Sequence, residues 1–421
     1  MLGHGRWRAL LVLGLVVAQG CWLQGGFDAG RSGFNGGETG ITTATVARLA
    51  PAWTATVGGA PREPLVLGGT VYARTAGQVT ALDAATGAAR WTATGLGGTG
   101  QPLIADNRLW VPTQGGHCEL DALGLGSGTV VRRAAIGGND VNGLTGSSSF
   151  CGAGDALWAG SKVATVWTYG ATTVAPHGCP NLTVFAAGAG FTAVDLDAGV
   201  PGTGDSQVFT SCDPLAPRPL PGPLASDGTV LFADESAGVS GFPLTCTGIC
   251  PSTFTWSSGQ RMGSGLVPLA GGAEAALVAP DGHLAVVDAQ TGAAHWTGAL
   301  GAAASLPPAV TDTTIFAVAD DGTLSAFPVG GCGASTCPAT WTAALPSAAT
   351  GRPSIVGDVL YVGGSDGSLS AFAAAGCGAS TCSPRFTATV PGAVAGSPVA
   401  DGGTLYVGSS TGTITAFRAP A

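Results

Sequence analysis

The residues of this 421-residue chain that could do chemistry are 11 cysteines, five histidines and 25 carboxylates. The cysteines show the clearest order. Cys332-Gly-Ala-Ser-Thr-Cys337 recurs as Cys377-Gly-Ala-Ser-Thr-Cys382, and Cys246-Thr-Gly-Ile-Cys250 is a shorter version. Zinc sites favour two-residue gaps and histidine partners. These loops have neither, so they read as local disulfides, each closing a short loop. Cys118, Cys151, Cys179 and Cys212 remain. They allow three connectivities, of which 118 with 151 and 179 with 212 is one. An even set of ten suits an oxidising compartment.

Cys21 is the odd one out. In residues 1–21, MLGHGRWRALLVLGLVVAQGC, Arg6 and Arg8 precede an apolar stretch from Ala9 to Ala18. That stretch is too short to span a bilayer and fits a secretory signal. Ala18-Gln19-Gly20-Cys21 resembles a bacterial lipobox, with Gln19 as the departure. Residues 1–20 are therefore expected to be a signal peptide. Cys21 becomes the lipid anchor, and 21–42 a lipidated linker ahead of the folded part, 43–421. The expected location is the extracytoplasmic side of a membrane; cleavage without lipidation, giving a soluble secreted protein, is the alternative.

Other constellations are explained by turns. Asp320-Asp321-Gly322 occupies the same place as Asp281-Gly282 and Asp366-Gly367, where hairpin turns want Asp and Gly. His117, His177, His283 and His295 are scattered, with no metal-ligand spacing. Gly146-Ser-Ser-Ser-Phe150 and Gly263-Ser264-Gly265 lack the strand-to-helix setting of a nucleophile elbow. Gly95-Leu-Gly97-Gly98-Thr-Gly100 precedes a strand, not the helix a dinucleotide loop needs. Asn181-Leu-Thr183 is a glycosylation sequon only in a eukaryotic host, which the lipobox argues against. The site expectation is therefore no catalytic, cofactor or metal residue. With a net charge of −9 and a single lysine, Lys162, the chain lacks the basic footprint of a nucleic-acid binder.

What must position these residues is a repeat. VTALDAATGAARW (79–91), LAVVDAQTGAAHW (284–296), LSAFPVGGCGASTCPATW (324–341) and LSAFAAAGCGASTCSPRF (369–386) each follow a strand-like run and a Gly turn. Aromatics close the units at Trp91, Trp256, Trp296, Trp341 and Phe386. A period of about 40–45 residues with four short strands per unit is the pattern of a β-propeller. The expected class is all-β, an eight-bladed β-propeller; seven blades is the alternative if 147–197 is a loop excursion. The last unit stops at Phe417, one strand short, and Leu49–Val57 carries an unassigned strand with Trp53. The N-terminal strand is therefore expected to pair with the C-terminal blade and remove the exposed edges. A small residue at Ala81, Ala326, Ala371 and Ala416 should let strands approach, with the closing aromatic filling the space between blades.

Ala81-Leu-Asp83-Ala-Ala-Thr-Gly87-Ala-Ala-Arg-Trp91 resembles the PQQ repeat, A-x-D-x-x-x-G-x-x-x-W. Asp288, Gly292 and Trp296 repeat it, with Val286 in place of the alanine. The segment Gly33–Leu49 is similar to the lead-in of quinoprotein propellers. The resemblance covers 33–421, with 101–257 matching only as strands and turns. It implies the quinoprotein alcohol dehydrogenase-like superfamily, and a lipidated propeller of this size also resembles the BamB family of assembly lipoproteins. Quinone enzymes of that superfamily cover the cofactor with a ring of two adjacent cysteines and use a calcium ion. This chain has no Cys-Cys pair and no acidic cluster at calcium-loop spacing.

These readings combine into one expectation. The protein is a monomeric, non-catalytic scaffold without a cofactor, binding envelope or secreted proteins and held to a membrane by its lipid. The irregular stretches Gly137–Ser149 and Gly199–Pro223 are the expected docking loops. A PQQ-dependent dehydrogenase and a small-ligand or glycan sensor with a polar axial pocket are the alternatives.

Overall fold

A computed structural model describes residues 21–114, 118–135, 150–159, 162–171, 186–195, 225–235, 238–243, 253–257 and 265–420. The signal peptide, both expected docking loops, His117, His177, Cys179, Cys212, and the Cys246–Cys250 loop lie outside them, as do the side chains of Cys118 and Cys151.

Short strands joined by tight turns build antiparallel sheets. Leu65–Leu67 and Thr70–Arg74 are linked by Gly68-Gly69, both at positive φ (56° and 71°). Asp106-Asn107 takes the same place in the next sheet, at 48° and 53°. Two positive φ values in a two-residue loop make the hairpin turn that matches strand twist. The inner strands are apolar and covered on both faces: Thr70–Arg74 and Val359–Gly363 are buried throughout. The outermost strands, such as Ala89–Thr94 and Phe386–Thr389, alternate between exposed and half-buried. This gradient is what sheets stacked face to face, with their last strands toward solvent, must show.

The described residues form eight sheets. Six have four strands, one has three, and one has five, four consecutive strands joined by Phe34–Asn35. The first comprises Leu65–Leu67, Thr70–Arg74, Gln78–Asp83 and Ala89–Thr94. In the third, three long strands are described, Phe150–Ala159, Lys162–Ala171 and Ala186–Asp195. In the last, Val394–Asp401, Thr404–Ser409 and Thr413–Arg418 are joined by Ala50–Thr56, with Trp53 opposite Ala416 and Pro51 opposite Phe417. The first strand of the repeat region thus completes the final sheet.

Within the segment expected to be a lipidated linker, residues 22–35 are packed against the sheets. Trp22 is fully buried and exchanges backbone hydrogen bonds with Val66 in both directions. Gln24 bridges Leu103, the Ser226 N–H donates to Ala29 O, the Val310 N–H donates to Ser32 O, and Phe34–Asn35 pairs in parallel with Ile355–Val356. Each contact is to the first strand of a different sheet. The cause is that these innermost strands leave backbone groups unpaired on the side away from their own sheet, and buried N–H and C=O groups must find partners.

Seams between sheets share one device. In five seams the closing tryptophan lies on a positive-φ glycine in the following unit: Trp53 on Gly87, Trp91 on Gly128, Trp256 on Gly292, Trp296 on Gly331, Trp341 on Gly376. In four seams its Nε1 donates to a nearby carbonyl: Ala84, Leu125, Ala289 and Val329, respectively. Trp341 meets Phe372 at 6.3 Å and Trp296 meets Phe327 at the same distance, both tilted. Ala81, Ala326, Ala371 and Ala416 are fully buried, as small spacers should be.

The disulfides Cys332–Cys337 and Cys377–Cys382 are formed. They do more than close a local loop. The Thr297 N–H donates to Ser335 O and the Cys337 N–H to Thr297 O, so the loop adds a parallel bridge to the preceding sheet's outer strand. Thr342, Ser380 and Cys382 repeat the arrangement. Serine at Cys332 and Cys337 together is expected to lower stability by about 2–3 kcal/mol, read by urea denaturation. No change against the oxidised wild type would mean that the loops do not hold the seam.

One buried carboxylate opposes the fold at neutral pH. The Asp121 side chain is almost fully enclosed, and its Oδ1 accepts no hydrogen bond. Arg133 Nε is 3.7 Å away, but burial dominates and pushes Asp121 up to about 6. The folded state therefore holds the proton more tightly than the unfolded state does. Stability from this group is full below the unfolded value near 4 and falls as pH rises toward 6. Asp121→Asn is expected to flatten that slope in denaturation curves between pH 4 and 7.

Candidate functional site

The repeat-motif aspartates are the first candidates for acid–base chemistry, and their geometry makes them turn residues. Asp83 Oδ1 accepts from the Ala85 N–H (3.0 Å), the Thr86 N–H (2.9 Å) and Thr86 Oγ1 (2.9 Å). Asp288 does the same with Gln290 and Thr291. These hydrogen bonds, with Arg90 on Asp83, hold both carboxyls below the usual range, so neither is suited to take up a proton near neutrality. Gly87 and Gly292 follow at positive φ under Trp53 and Trp256. Asp321 Oδ1 accepts from the Thr323 N–H (2.8 Å), and Asp320 ties down Ser305 through its N–H and Oγ. His283 and His295 are exposed beside Asp281 (3.0 Å) and Glu274 (3.5 Å). Among the described residues, no three His, Cys, Asp or Glu side chains come together as a metal cage.

Cys21 is a free, half-buried thiol beside Gly68 and Asp401, at the turns joining the first and second strands of two sheets. Burial, then Asp401, pushes the thiol up, which makes it a poor nucleophile.

A charged cluster that sequence spacing did not reveal gathers residues from distant parts of the chain. Arg31, Glu63, Gln101 and Arg352 are buried in it, 321 positions separating the two arginines. Glu63 Oε1 accepts from Trp22 Nε1 (2.6 Å) and the Gly26 N–H (2.8 Å). Gln101 donates to Glu63 O (2.8 Å), and its N–H to Asp155 Oδ1 (2.9 Å). Arg31 Nη2 donates to Ala156 O (3.3 Å) with Asp155 Oδ2 3.8 Å from Nη1, and Arg352 Nη1 donates to Arg31 O. Burial, followed by the neighbouring Arg31 charge, lowers Arg352 to about 10, so it stays cationic at neutral pH. Burial pushes Glu63 up, against the pull of Arg352 and its donors.

This cluster floors a cavity of about 690 Å³ whose walls include Gly58, Gly59, Gly77, Gly351 and Gly396. Arg62 and Thr99 stand exposed at its rim. A second cavity of about 720 Å³ lies beside Asp28, Asp227, Glu274 and Asp312, at the opposite strand ends. Residues 25–32 run between the two. The volumes fall within the roughly 300–1,000 Å³ of small-ligand sites. The donor set of the first cavity suits an anion. Its two carboxylates already accept donors and lie beside two buried arginines, so a calcium–quinone centre fits it poorly.

A family model described as "Outer membrane protein assembly factor BamB" matches residues 38–199, 251–375 and 339–420. No curated protein matches the sequence. Among solved structures, quinohemoprotein alcohol dehydrogenase from Comamonas testosteroni is 15% identical, with a TM-score of 0.66 over 95% of this chain and 82% of that one. BamB from Moraxella catarrhalis is 16% identical, with a TM-score of 0.58 over 88% of this chain and 99% of that one. A europium-containing methanol dehydrogenase is 14% identical, with a TM-score of 0.58 over 92% and 89%. At these identities the likeness is one of fold. The all-β sheets match β-propellers, the tryptophan–glycine seams carry the PQQ-repeat motif, and the family model spans well over half of the residues; this chain belongs to the BamB-like PQQ-repeat β-propeller family.

Proposed function

We propose that this protein is a non-catalytic scaffold of the cell envelope, exported and anchored by lipid at Cys21. Its sheets are the blades of one eight-bladed ring, closed where Ala50–Thr56 pairs with Thr413–Arg418. The observation that carries the scaffold reading is the occupation of the centre by the chain's own residues 22–35, which contact first strands around the sheets. A centre threaded by the chain's own segment, with its motif aspartates locked in turns, supports recognition rather than turnover. Membership of a family described as an assembly factor supports the same reading.

The anchor has no slack. Trp22, next to Cys21, is held on both sides by Val66. Cys21 sits by the Gly68 turn, whereas the arginine cavity opens by Thr75–Gly77, at the other end of the strand Thr70–Arg74. Acyl chains on Cys21 therefore hold the Gly68 side toward the bilayer and turn the arginine side away; two or more chains suffice for stable attachment.

The test is capture of the tagged, crosslinked full-length protein from its own membranes, beside Cys21→Ser. The wild type is expected in the membrane fraction with specific envelope proteins, and the serine variant in the soluble fraction. A wild type that comes down alone, or dye reduction that depends on added calcium and PQQ, overturns the scaffold reading.

A further inference from the structure

The two ends of the centre differ in charge, and the arginine end carries a ligand chemistry of its own. We propose that the cavity floored by Arg31 and Arg352 is a carboxylate-binding site, filled by the terminal carboxylate of an extended peptide chain or by a small free carboxylic acid. The reading deepens the scaffold proposal and rests on it for the peptide as occupant.

Three observations carry it. First, both floor arginines are more than nine-tenths buried as residues, at 4% and 9% exposure, and both line the cavity while holding Ala156 O, Asp155 and Arg31 O. A guanidinium offers five N–H donors in a planar fork that fits a carboxylate through two parallel bonds. Second, the acids nearby are already supplied with donors. Glu63 Oε1 takes two, from Trp22 and Gly26, and Asp155 Oδ1 takes the Gln101 N–H. With Arg62 at the rim, three arginines line the cavity beside two carboxylates, and Asp28 acts on Arg352 from the side of the other cavity. Third, the walls are backbone. A side chain at Gly351 would strike Gly396 at 2.8 Å, and one at Gly396 would strike Glu63 N at 2.7 Å. Those two glycines let neighbouring backbones pack together, and with Gly58, Gly59 and Gly77 they leave much of the lining without side chains, so an extended chain can approach main chain to main chain. The acidic cavity at the other end has no such cation and takes no part.

The experiment uses the mature protein and three probes: pentaglycine with a free C-terminus, pentaglycine amide, and succinate, each followed by titration calorimetry at pH 7. The free-acid peptide is expected to bind at least tenfold more tightly than the amide. Succinate weaker than the peptide assigns the site to a chain end; succinate equal or tighter assigns it to a free acid. Arg352→Gln is expected to abolish binding. Because that variant could lose its fold, Arg62→Gln at the exposed rim is the second arm, expected to weaken binding severalfold with an unchanged melting temperature. No binding by either acid at millimolar concentration, equal binding of acid and amide, or full affinity in Arg62→Gln overturns the proposal. Membrane capture of partners that persists while the probes fail to bind leaves the scaffold reading intact and removes this site alone.

Discussion

Alanine at Gly87 is expected to destabilise the protein far more than alanine at Gly69, although both glycines sit at nearly the same φ (74° and 71°). The left-handed conformation costs a side chain roughly 1–2 kcal/mol at either position. At Gly69 nothing lies within 4 Å of the added carbon, so that cost is the whole effect. At Gly87 the carbon would stand 2.6 Å from the Trp53 ring. Trp53 cannot retreat freely, because its Nε1 donates to Ala84 O and its ring packs on Tyr406 at 5.9 Å. Overpacking adds about 1–3 kcal/mol, for a total near 2–5 kcal/mol. Trp53→Ala removes the ring instead and is expected to cost about 3–5 kcal/mol. Both variants act on the seam between the last sheet and the first. Urea denaturation of the three variants is the measurement. Equal losses at Gly87 and Gly69 would show that the tryptophan–glycine contact holds nothing together.

The second large effect concerns the N-terminal segment. Trp22→Ala is expected to cost about 3–5 kcal/mol by the lost burial of a fully enclosed indole. Trp22→Phe separates the two contributions. It keeps most of the ring contact with Phe27, now at 5.1 Å, but removes the N–H that Glu63 accepts at 2.6 Å. Leaving that buried carboxylate short of a donor costs about 1–3 kcal/mol. A segment that merely tethered the protein would tolerate both changes, and melting temperatures equal to wild type would leave residues 21–42 in the role of a linker.

The arginine cavity and the seams place different demands on the same centre. Seams are apolar and repeat; the cavity is charged and does not. Changes at the rim, such as Arg62→Gln, should therefore move ligand affinity without moving stability, whereas changes at Trp53, Gly87 or Trp22 should move stability first. Measuring both for each variant separates recognition from scaffolding.

Much of this was legible from the residues in order. Strand alternation, Asp–Gly turns, closing tryptophans and the unassigned strand around Trp53 are local patterns repeated along the chain, and repetition makes a weak local signal readable. The hexapeptide disulfide loops were readable for the same reason, but not their reach to Thr297 and Thr342, since a neighbouring sheet is not a neighbour in sequence. Residues 22–35 carry no repeat and few apolar residues, so they read as a linker. Only the assembled sheets, whose first strands leave backbone groups unpaired, create the partners that order them. The arginine cluster follows the same logic. Arg31, Arg62 and Arg352 have no spacing to notice, and their meeting at one cavity is decided by where several sheets and a threaded segment converge. Sequence determined the repeating unit because its physics is local; tertiary structure decided the centre because its physics is the satisfaction of groups brought together from distant parts of the chain.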